Sequence, residues 1–539
     1  MSVQWWRDAV IYQVYPKSFA DADGDGVGDL PGITAHLDHL ATLGVDAVWI
    51  SPFYPSPQRD GGYDVADYRD VDPMFGTLAD FDALIARAHE LSLKVMVDIV
   101  PNHTSSAHPW FQAALASEPG SRARGRYLFR DGRGPNGDEP PNNWLAAFTG
   151  PSWTRVTEQD GRPGQWYLHL FDSSQPDLDW ENPEVVEEFD AILRFWLDRG
   201  VDGFRVDVAI GMFKEDGLPD WDGSHWYSSD VEGPHPMWDR DRVHDIYRRW
   251  RRILDSYYPP RVMAGESAVP HPERLALYTR PDEMHQAMNF PFLWLRPVAS
   301  EVAAVIDRTL ATAGSAPSTW VLSNHDVRRP VTRFGSEDPW VHADRVTPTD
   351  RALGSRVALA MDALMLALPG SAYLYQGQEL GLPDNDEIPD QARQDPVFLN
   401  SGGRVIGRDG CRVPMPWTPD GPTLGFNTTG DAWLPMPAEY GARSVAAQEG
   451  VPGSTLEVYR QLLRLRRARA LGHGRLVRHA SMEGDVVAYL NESANVRTLL
   501  LVNLGPSPVA IPAGAETLIR TDGGDGPLAG YSAGWFAVA

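Results

Sequence analysis

The chain has 539 residues, is 42% hydrophobic, and carries 48 Lys plus Arg against 73 Asp plus Glu, a formal charge of −25. With a mean hydropathy of −0.34 it reads as a soluble globular protein with room for a large core and more than one domain. The acidic balance argues against nucleic acid or an anionic membrane as partners, because phosphate-binding surfaces need clustered cations. The single Cys411 rules out an internal disulfide.

The elements follow in order. Ala9–Tyr15 reads as a strand, Pro31–Gly44 as a helix stopped by glycine, and Asp46–Ser51 as a second strand. Thr77–Leu93 is a helix with Phe81, Leu84, Ile85 and Ala88 on one face, and Lys94–Val100 is the third strand. Residues 104–174 break the pattern with Gly, Pro, Arg and Trp, and read as a small domain inserted in a strand-to-helix loop. The beat resumes with a helix at Pro183–Gly200, a strand at Gly203–Ala209, a helix at Asp241–Tyr258 and a strand at Arg261–Ser267. Met284–Phe290, Thr319–Asp326 and Ala372–Glu379 complete the strands, with Arg351–Leu368 as a helix before the last. A long loop excursion, Leu380 to about Gly453, precedes a final helix at Ser454–Leu471. This describes an α/β fold, a (β/α)₈ barrel spanning 1–103 and 175–471, with the inserted domain after its third strand. From 472 to 539, short β runs between Gly and Pro turns predict an antiparallel β domain.

In such a barrel the chemistry lies at the carboxyl ends of the strands. His103, Asp207, Glu266 and the pair His325–Asp326 fall there. Within Gly203–Ala209, Arg205 and Asp207 are two apart and share a face. There the guanidinium would hold Asp207 ionised, as a nucleophile at a sugar carbon requires. The same two residues read equally as a structural ion pair. Carboxylates at three strand ends facing one cavity are harder to explain as scaffolding. Two acids in unlike environments are the apparatus of glycoside hydrolysis.

Four stretches, Asp98-Ile99-Val100-Pro101-Asn102-His103, Gly203-Phe204-Arg205-Val206-Asp207, Gly265-Glu266 and Ser323-Asn324-His325-Asp326, resemble in order those of glycoside hydrolase family thirteen, the α-amylase family. The resemblance runs end to end. It implies a retaining mechanism with Asp207 as nucleophile, Glu266 as acid and base, and Asp326 steadying the transition state. Arg205, His103 and His325 would orient sugar and nucleophile. Asp64 and Arg412 would grip the terminal glucose, with Tyr63 stacked against it. Asp98 reads as structural. Asn102, a calcium ligand in many amylases of the family, is not expected to be one here. Gln175-Pro176-Asp177-Leu178-Asp179-Trp180 resembles the signature of the oligo-1,6-glucosidase and α-glucosidase subgroup, which usually has Asn where this chain has Asp179.

Asp21-Ala22-Asp23-Gly24-Asp25-Gly26-Val27-Gly28-Asp29 puts carboxylates at alternate positions between glycines, which suits a hard cation. The subgroup carries a metal here. Asp21, Asp23, Asp25, Asp29 and the Val27 carbonyl would hold structural Ca2+, with Mg2+ as the other candidate. An acidic turn without metal is the competing reading. No organic cofactor is expected. Val208 after the nucleophile is commoner in α-1,6 enzymes, while Ala209 resembles maltose-acting ones.

The expected activity is exo-acting hydrolysis of terminal α-linked glucose from short oligosaccharides or glucosides. α-1,6-specific cleavage and α-glucosyl transfer or isomerisation are the alternatives. A non-enzymatic transporter ectodomain is disfavoured because every acid is present. The start, Met1-Ser2-Val3-Gln4-Trp5-Trp6-Arg7-Asp8, has no signal pattern. The expectation is a cytoplasmic monomer or homodimer.

Overall fold

Short apolar strands alternating with amphipathic helices are satisfied by a parallel sheet rolled up inside a ring of helices. The computed structural model describes residues 4–223, 234–314, 316–337, 348–493 and 496–539. The first three residues of the N-terminal stretch read above lie outside the described residues. Strands β1 (Val10–Val14), β2 (Ala47–Ile50) and β3 (Lys94–Ile99) begin the barrel. Then β4 (Phe129–Arg130), β5 (Trp153–Thr157) and β6 (Pro163–Leu168) form a separate antiparallel sheet. The barrel continues with β7 (Gly203–Val206), β8 (Val262–Gly265), β9 (Gln286–Ala287), β10 (Thr319–Val321) and β11 (Ser371–Tyr375). Its strand order is β10-β11-β1-β2-β3-β7-β8-β9, and each neighbouring pair is parallel.

Among the described residues no ladder joins β9 to β10. Just beyond β9, the Asn289 amide donates to the Thr319 carbonyl at 3.0 Å and ties the two edges. β9 has two residues where seven were expected, because Asn289 already caps the helix Phe290–Leu293 through the Phe292 amide.

Strand alternation decides what enters the barrel. Ile11, Ala47, Trp49, Met96, Val262 and Tyr373 form one inner cluster. Their neighbours Val10, Val48, Val97, Phe204 and Val206 belong to the cluster that includes the helices. With Phe204 and Val206 facing out, Arg205 faces in. On β3, Asp98 is inside by the same rule, and Asp98 and Arg205 are ladder partners.

The helix Leu78–Glu90 starts on a capping box of Thr77 and Asp80, and Pro183–Asp198 starts on Asn182. The expected helix Pro31–Gly44 is two, Leu30–Ala35 and Leu37–Leu43, broken at His36 (ψ 8°). The His36 ring bonds back to the Gly32 carbonyl at 2.9 Å and packs against Trp417, so tertiary contact overrides local propensity. Gly44 ends the second helix with φ 96°, as its position implied.

The 380–453 excursion is tied across the barrel's first turn. The Met415 amide donates to the Ser18 carbonyl at 2.9 Å and the Trp417 indole to the Phe19 carbonyl at 2.8 Å. The last strands, β12 (Arg475–Arg478), β13 (Val486–Ser493), β14 (Val496–Asn503), β15 (Glu516–Arg520) and β16 (Ser532–Val538), form an antiparallel sheet of order β12-β13-β14-β16-β15. It packs on the helix Arg351–Ala367, where the Trp535 indole donates to the Ala363 carbonyl at 3.1 Å. Among the described residues no helix is long and apolar enough to cross a membrane.

Candidate active site

Ladder register brings the acids together. The Asp207 amide donates to the Ile99 carbonyl and the Glu266 amide to the Val206 carbonyl, both at 2.9 Å. The two residues therefore stand side by side, one step past the ends of β7 and β8. Arg205 lies beneath them, fully buried. Its Nη1 is 2.8 Å from Asp98 Oδ1 and 2.6 Å from Asp207 Oδ1, and its Nη2 is 2.8 Å from Glu266 Oε1. One guanidinium thus holds both carboxylates on adjacent nitrogens, the kind of close pairing that a retaining mechanism, with carboxyl groups about 5 Å apart, requires.

One guanidinium serving three carboxylates does not neutralise them all. Burial pushes the Asp207 carboxyl well above the usual range. Arg205 pulls it down, and Glu266, Asp98 and Asp326 push it further up. Burial and the neighbouring carboxylates thus oppose the ionisation of Asp207 that Arg205 is expected to favour. Asp98 is raised to about 6 by burial, against the pull of Arg205. It accepts from the Trp49 indole at 2.7 Å and from the Tyr63 hydroxyl at 3.2 Å, so it braces the site from below.

A second arginine organises the other wall. Arg408 Nε is 2.6 Å from Asp395 Oδ2, Nη1 is 2.8 Å from Asp326 Oδ1 and Nη2 is 2.8 Å from Asp60 Oδ1. Its guanidinium also lies 4.7 Å over the ring of Phe148 from the inserted segment. Burial raises the Asp326 carboxyl, but the Nε2–H that His325 turns to it and the guanidinium charges of Arg408 and Arg412 together outweigh it, so Asp326 sits well below the usual range. The Gln13 amide nitrogen lies 2.7 Å from His325 Nδ1, and His325 Nε2 lies 3.1 Å from Asp326 Oδ2. With Nδ1 accepting, the imidazole is neutral and donates from Nε2. Burial, the largest influence on this ring, also drives its pKa down.

These residues surround a cavity of about 1050 Å³. Asp207, Glu266 and Asp326 open onto it, as do His103, Tyr63 and His325. One face of the Tyr63 ring is already stacked on His325, with centroids 4.9 Å apart and planes 3° apart. Asp64 and Arg412 are not among the lining residues. Asp64 is buried and accepts the amides of Arg59 and Asp60 and the Ser56 hydroxyl, all within 3.0 Å. Arg412 lies behind Asp326, with Nη2 3.0 Å from its Oδ1 and Nε donating to the His325 carbonyl at 2.9 Å. Asp60 and Arg408 occupy the cavity wall instead. The signal for Asp60 was the glycine pair Gly61–Gly62, with φ 56° and 103°. A left-handed pair reverses the chain, so the acids on either side of it take opposite directions. Arg408 and Arg412 are separated by one 3₁₀ turn, Asp409–Arg412, which likewise sorts one to the surface of the cavity and one behind it.

Aromatic groups from other segments close the cavity. Phe148 and Phe171 from the inserted segment pack 5.5 Å apart. Asn400 of the excursion donates to Asp172 at 2.8 Å and to the Phe148 carbonyl at 3.3 Å, clasping the two walls together. Val208 has φ 42°, a left-handed conformation that a β-branched residue rarely holds. The turn aims its amide at Glu266 Oε2, 2.9 Å away.

Asn102 has a cation already. The ammonium of buried Lys214 is 3.0 Å from Asn102 Oδ1 and 2.6 Å from Asp177 Oδ2, and also donates to the Gly211 carbonyl. Three oxygens that would suit calcium are therefore satisfied by a side chain.

In the 21–29 loop, Asp21, Asp23 and Asp29 bring carboxylate oxygens within 4.8 Å of one another. Asp25 turns its carboxylate to the Val27 amide at 2.8 Å. Asp21 and Asp29 are buried, and burial raises the Asp29 carboxyl against the pull of three backbone amides. Crowded, partly buried carboxylates of this kind fit a hard divalent cation.

The model of the alpha amylase catalytic domain matches residues 13–474. A probable alpha-glucosidase of Rhizobium meliloti is 40% identical over 518 residues, covering 93% of this chain and 89% of its own length. An oligo-1,6-glucosidase of Parageobacillus thermoglucosidasius is 36% identical over 506 residues, 86% of this chain and 84% of its own. Among solved structures, an alpha-glucosyl transfer enzyme, XgtA, superposes with a TM-score of 0.86 at 39% identity, covering 99% of each chain. With a buried arginine bridging two strand-end carboxylates and likeness along nearly its whole length, the chain belongs to the α-amylase family and is a glycoside hydrolase.

Proposed function

We propose that the protein is a retaining, exo-acting α-glucosidase that releases terminal non-reducing glucose from short oligosaccharides or glucosides. The observation that carries this is Arg205 holding Asp207 and Glu266 side by side on the wall of the cavity. The reaction needs the proton on Glu266 and Asp207 ionised. Asp207 attacks the anomeric carbon, the glycosidic bond breaks, and the Glu266 proton passes to the leaving oxygen. Glu266, now ionised, takes a proton from water, whose oxygen displaces Asp207 and frees glucose. Asp326 and neutral His325 accept and donate to sugar hydroxyls, while His103 and Tyr63 position the ring. Asp60 and Arg408, rather than Asp64 and Arg412, grip the glucose end farthest from the leaving group. The likeness to an α-glucosyl transfer enzyme supports a second outcome, in which a sugar or alcohol hydroxyl replaces water.

Structural Ca2+, or Mg2+, in the 21–29 loop is held in this reading by Asp21, Asp23 and Asp29, with Asp25 and the Val27 carbonyl completing the set. It stiffens the loop and takes no part in the chemistry.

The test is turnover of maltose, isomaltose, sucrose and trehalose, with the anomer of released glucose followed by NMR. α-Glucose first, and loss of at least about 10⁴-fold in kcat for Asp207→Asn, is expected. β-Glucose first, or near-native rates in Asp207→Asn or Glu266→Gln, overturns the reading.

A further inference from the structure

The cavity wall carries a charge that the chemistry above does not use. Arg333 belongs to the short helix Pro330–Phe334, just past the 323–326 stretch, and lines the cavity. It is 2% exposed. Its Nη2 donates to the Leu322 carbonyl at 2.6 Å. Its Nε and Nη1 are buried and have no hydrogen-bond partner among the described residues. The other arginines on this wall are provided for. Arg408 holds Asp60, Asp326 and Asp395, Arg328 holds Asp384 and Asp386, and Arg308 is exposed. Arg333 has no carboxylate in contact among the described residues; the charges of Asp384 and Asp362 reach it only from a distance. The Phe334 ring, 4.8 Å from its guanidinium, is a weak partner.

A buried charge without a counterion is costly. A lysine could shed its proton there, but a guanidinium cannot near neutral pH. Burial lowers Arg333 only to about 10, so the charge stays. Orphaned buried donors mark the place of a water or an ion. Water satisfies the hydrogens and leaves the charge uncompensated. An anion satisfies both, through shorter and stronger bonds. With so little of the residue open, that anion is small.

We propose that Arg333 anchors a binding site for a small monovalent anion, a halide or a carboxylate of formate size. The ion sits on the orphaned donors while Nη2 keeps the Leu322 carbonyl. Leu322 leads from β10 into Ser323-Asn324-His325-Asp326, so an occupied site steadies the strand end that carries Asp326. The site is separate from the sugar contacts assigned above, and it stands whether or not the α-glucosidase reading does. The formal charge of −25 on the chain opposes anions in general, so binding in the millimolar range is expected.

The experiment follows thermal unfolding of the full chain by calorimetry at pH 7 and constant ionic strength. Sodium isethionate, a bulky anion, is replaced stepwise by chloride, bromide or formate. The expected result is a saturable rise in Tm of about 1–2 °C once the ion reaches about ten to a hundred times its Kd. A larger rise with formate marks a carboxylate site, and a larger rise with chloride or bromide marks a halide site. Arg333→Met, which keeps most of the side chain and removes the charge, abolishes the rise; Arg333→Lys retains part of it. A native Tm indifferent to all three ions overturns the proposal, as does a rise of the same size in Arg333→Met. Should neither variant fold, crystals of the native protein soaked in bromide decide. An anomalous peak beside the Arg333 guanidinium supports the site, and no peak there overturns it. Turnover plays no part in this test, so its outcome is independent of the glucosidase assays.

Discussion

Replacing Lys214 with Ala removes a cation from a buried site that holds three oxygens. Asp177 is fully buried, and Lys214 Nζ at 2.6 Å is the cation paired with it. Removing one member of a buried ion pair costs about 3–5 kcal/mol, because the other charge stays behind unneutralised. Unfolding entropy of about 2.1 cal/mol/K per residue over 539 residues is about 1.1 kcal/mol/K. For unfolding as one unit, Tm then falls by about 3–4 °C. The variant also uncovers Asn102 Oδ1, Asp177 Oδ2 and the Gly211 carbonyl, an oxygen set suited to calcium. Differential scanning calorimetry of native and variant protein, each in EDTA and in millimolar calcium, tests both points. The variant's loss in EDTA is expected to shrink by at least half in calcium, while adding calcium raises the native Tm by less. An EDTA-treated variant as stable as the native enzyme would refute the reasoning, since Lys214 would then carry none of the electrostatic load assigned to it.

Asp60→Asn is expected to change the pH dependence of binding. Burial raises Asp60 to about 6 despite Arg408, so sugar affinity improves as the carboxyl ionises between pH 5 and 7; 1/KM for maltose should lose that limb in the variant. Asp362 is buried and raised to about 7 while accepting from Gln378 at 2.6 Å. Its folded value lies above its unfolded one, so its contribution to stability is complete below about pH 4 and is lost as pH rises through 7. Asp362→Asn should therefore gain up to about 4 kcal/mol relative to native at pH 8 and little at pH 4, read by urea melts at both values; a constant difference contradicts the assignment. EDTA should lower the native Tm by way of the 21–29 loop, and Asp21→Asn, Asp29→Asn or both should abolish the EDTA effect; an EDTA-insensitive native enzyme leaves the loop as an acidic turn.

The barrel was legible because its signals are local. Alternation along Gly203–Ala209 and the helix faces after it depend on neighbours two to four residues away, and the structure repeats them with boundaries shortened by a few residues. The four strand-end motifs carried the acids for the same reason. What escaped was set by distant contacts. His36 breaks a helix because Trp417 comes to it from the excursion. Asp60 and Asp64 are alike in chemistry and four residues apart, and only the left-handed turn between them decides which faces the cavity. Arg408 is a hub for Asp60, Asp326 and Asp395, partners 348, 82 and 13 residues away in sequence. The sharing of Arg205 among Asp98, Asp207 and Glu266 was not legible either, because the three acids come from three different strands.

Val208 draws these threads to a practical point. Holding a branched residue at φ 42° costs on the order of 1–3 kcal/mol, and what that strain secures is one amide directed at the proton donor. A glycine there would relax the backbone and toughen the molecule while letting that amide wander. Attempts to harden this enzyme for use by relieving its strained positions should therefore leave this one alone, since durability gained at Val208 would come out of turnover.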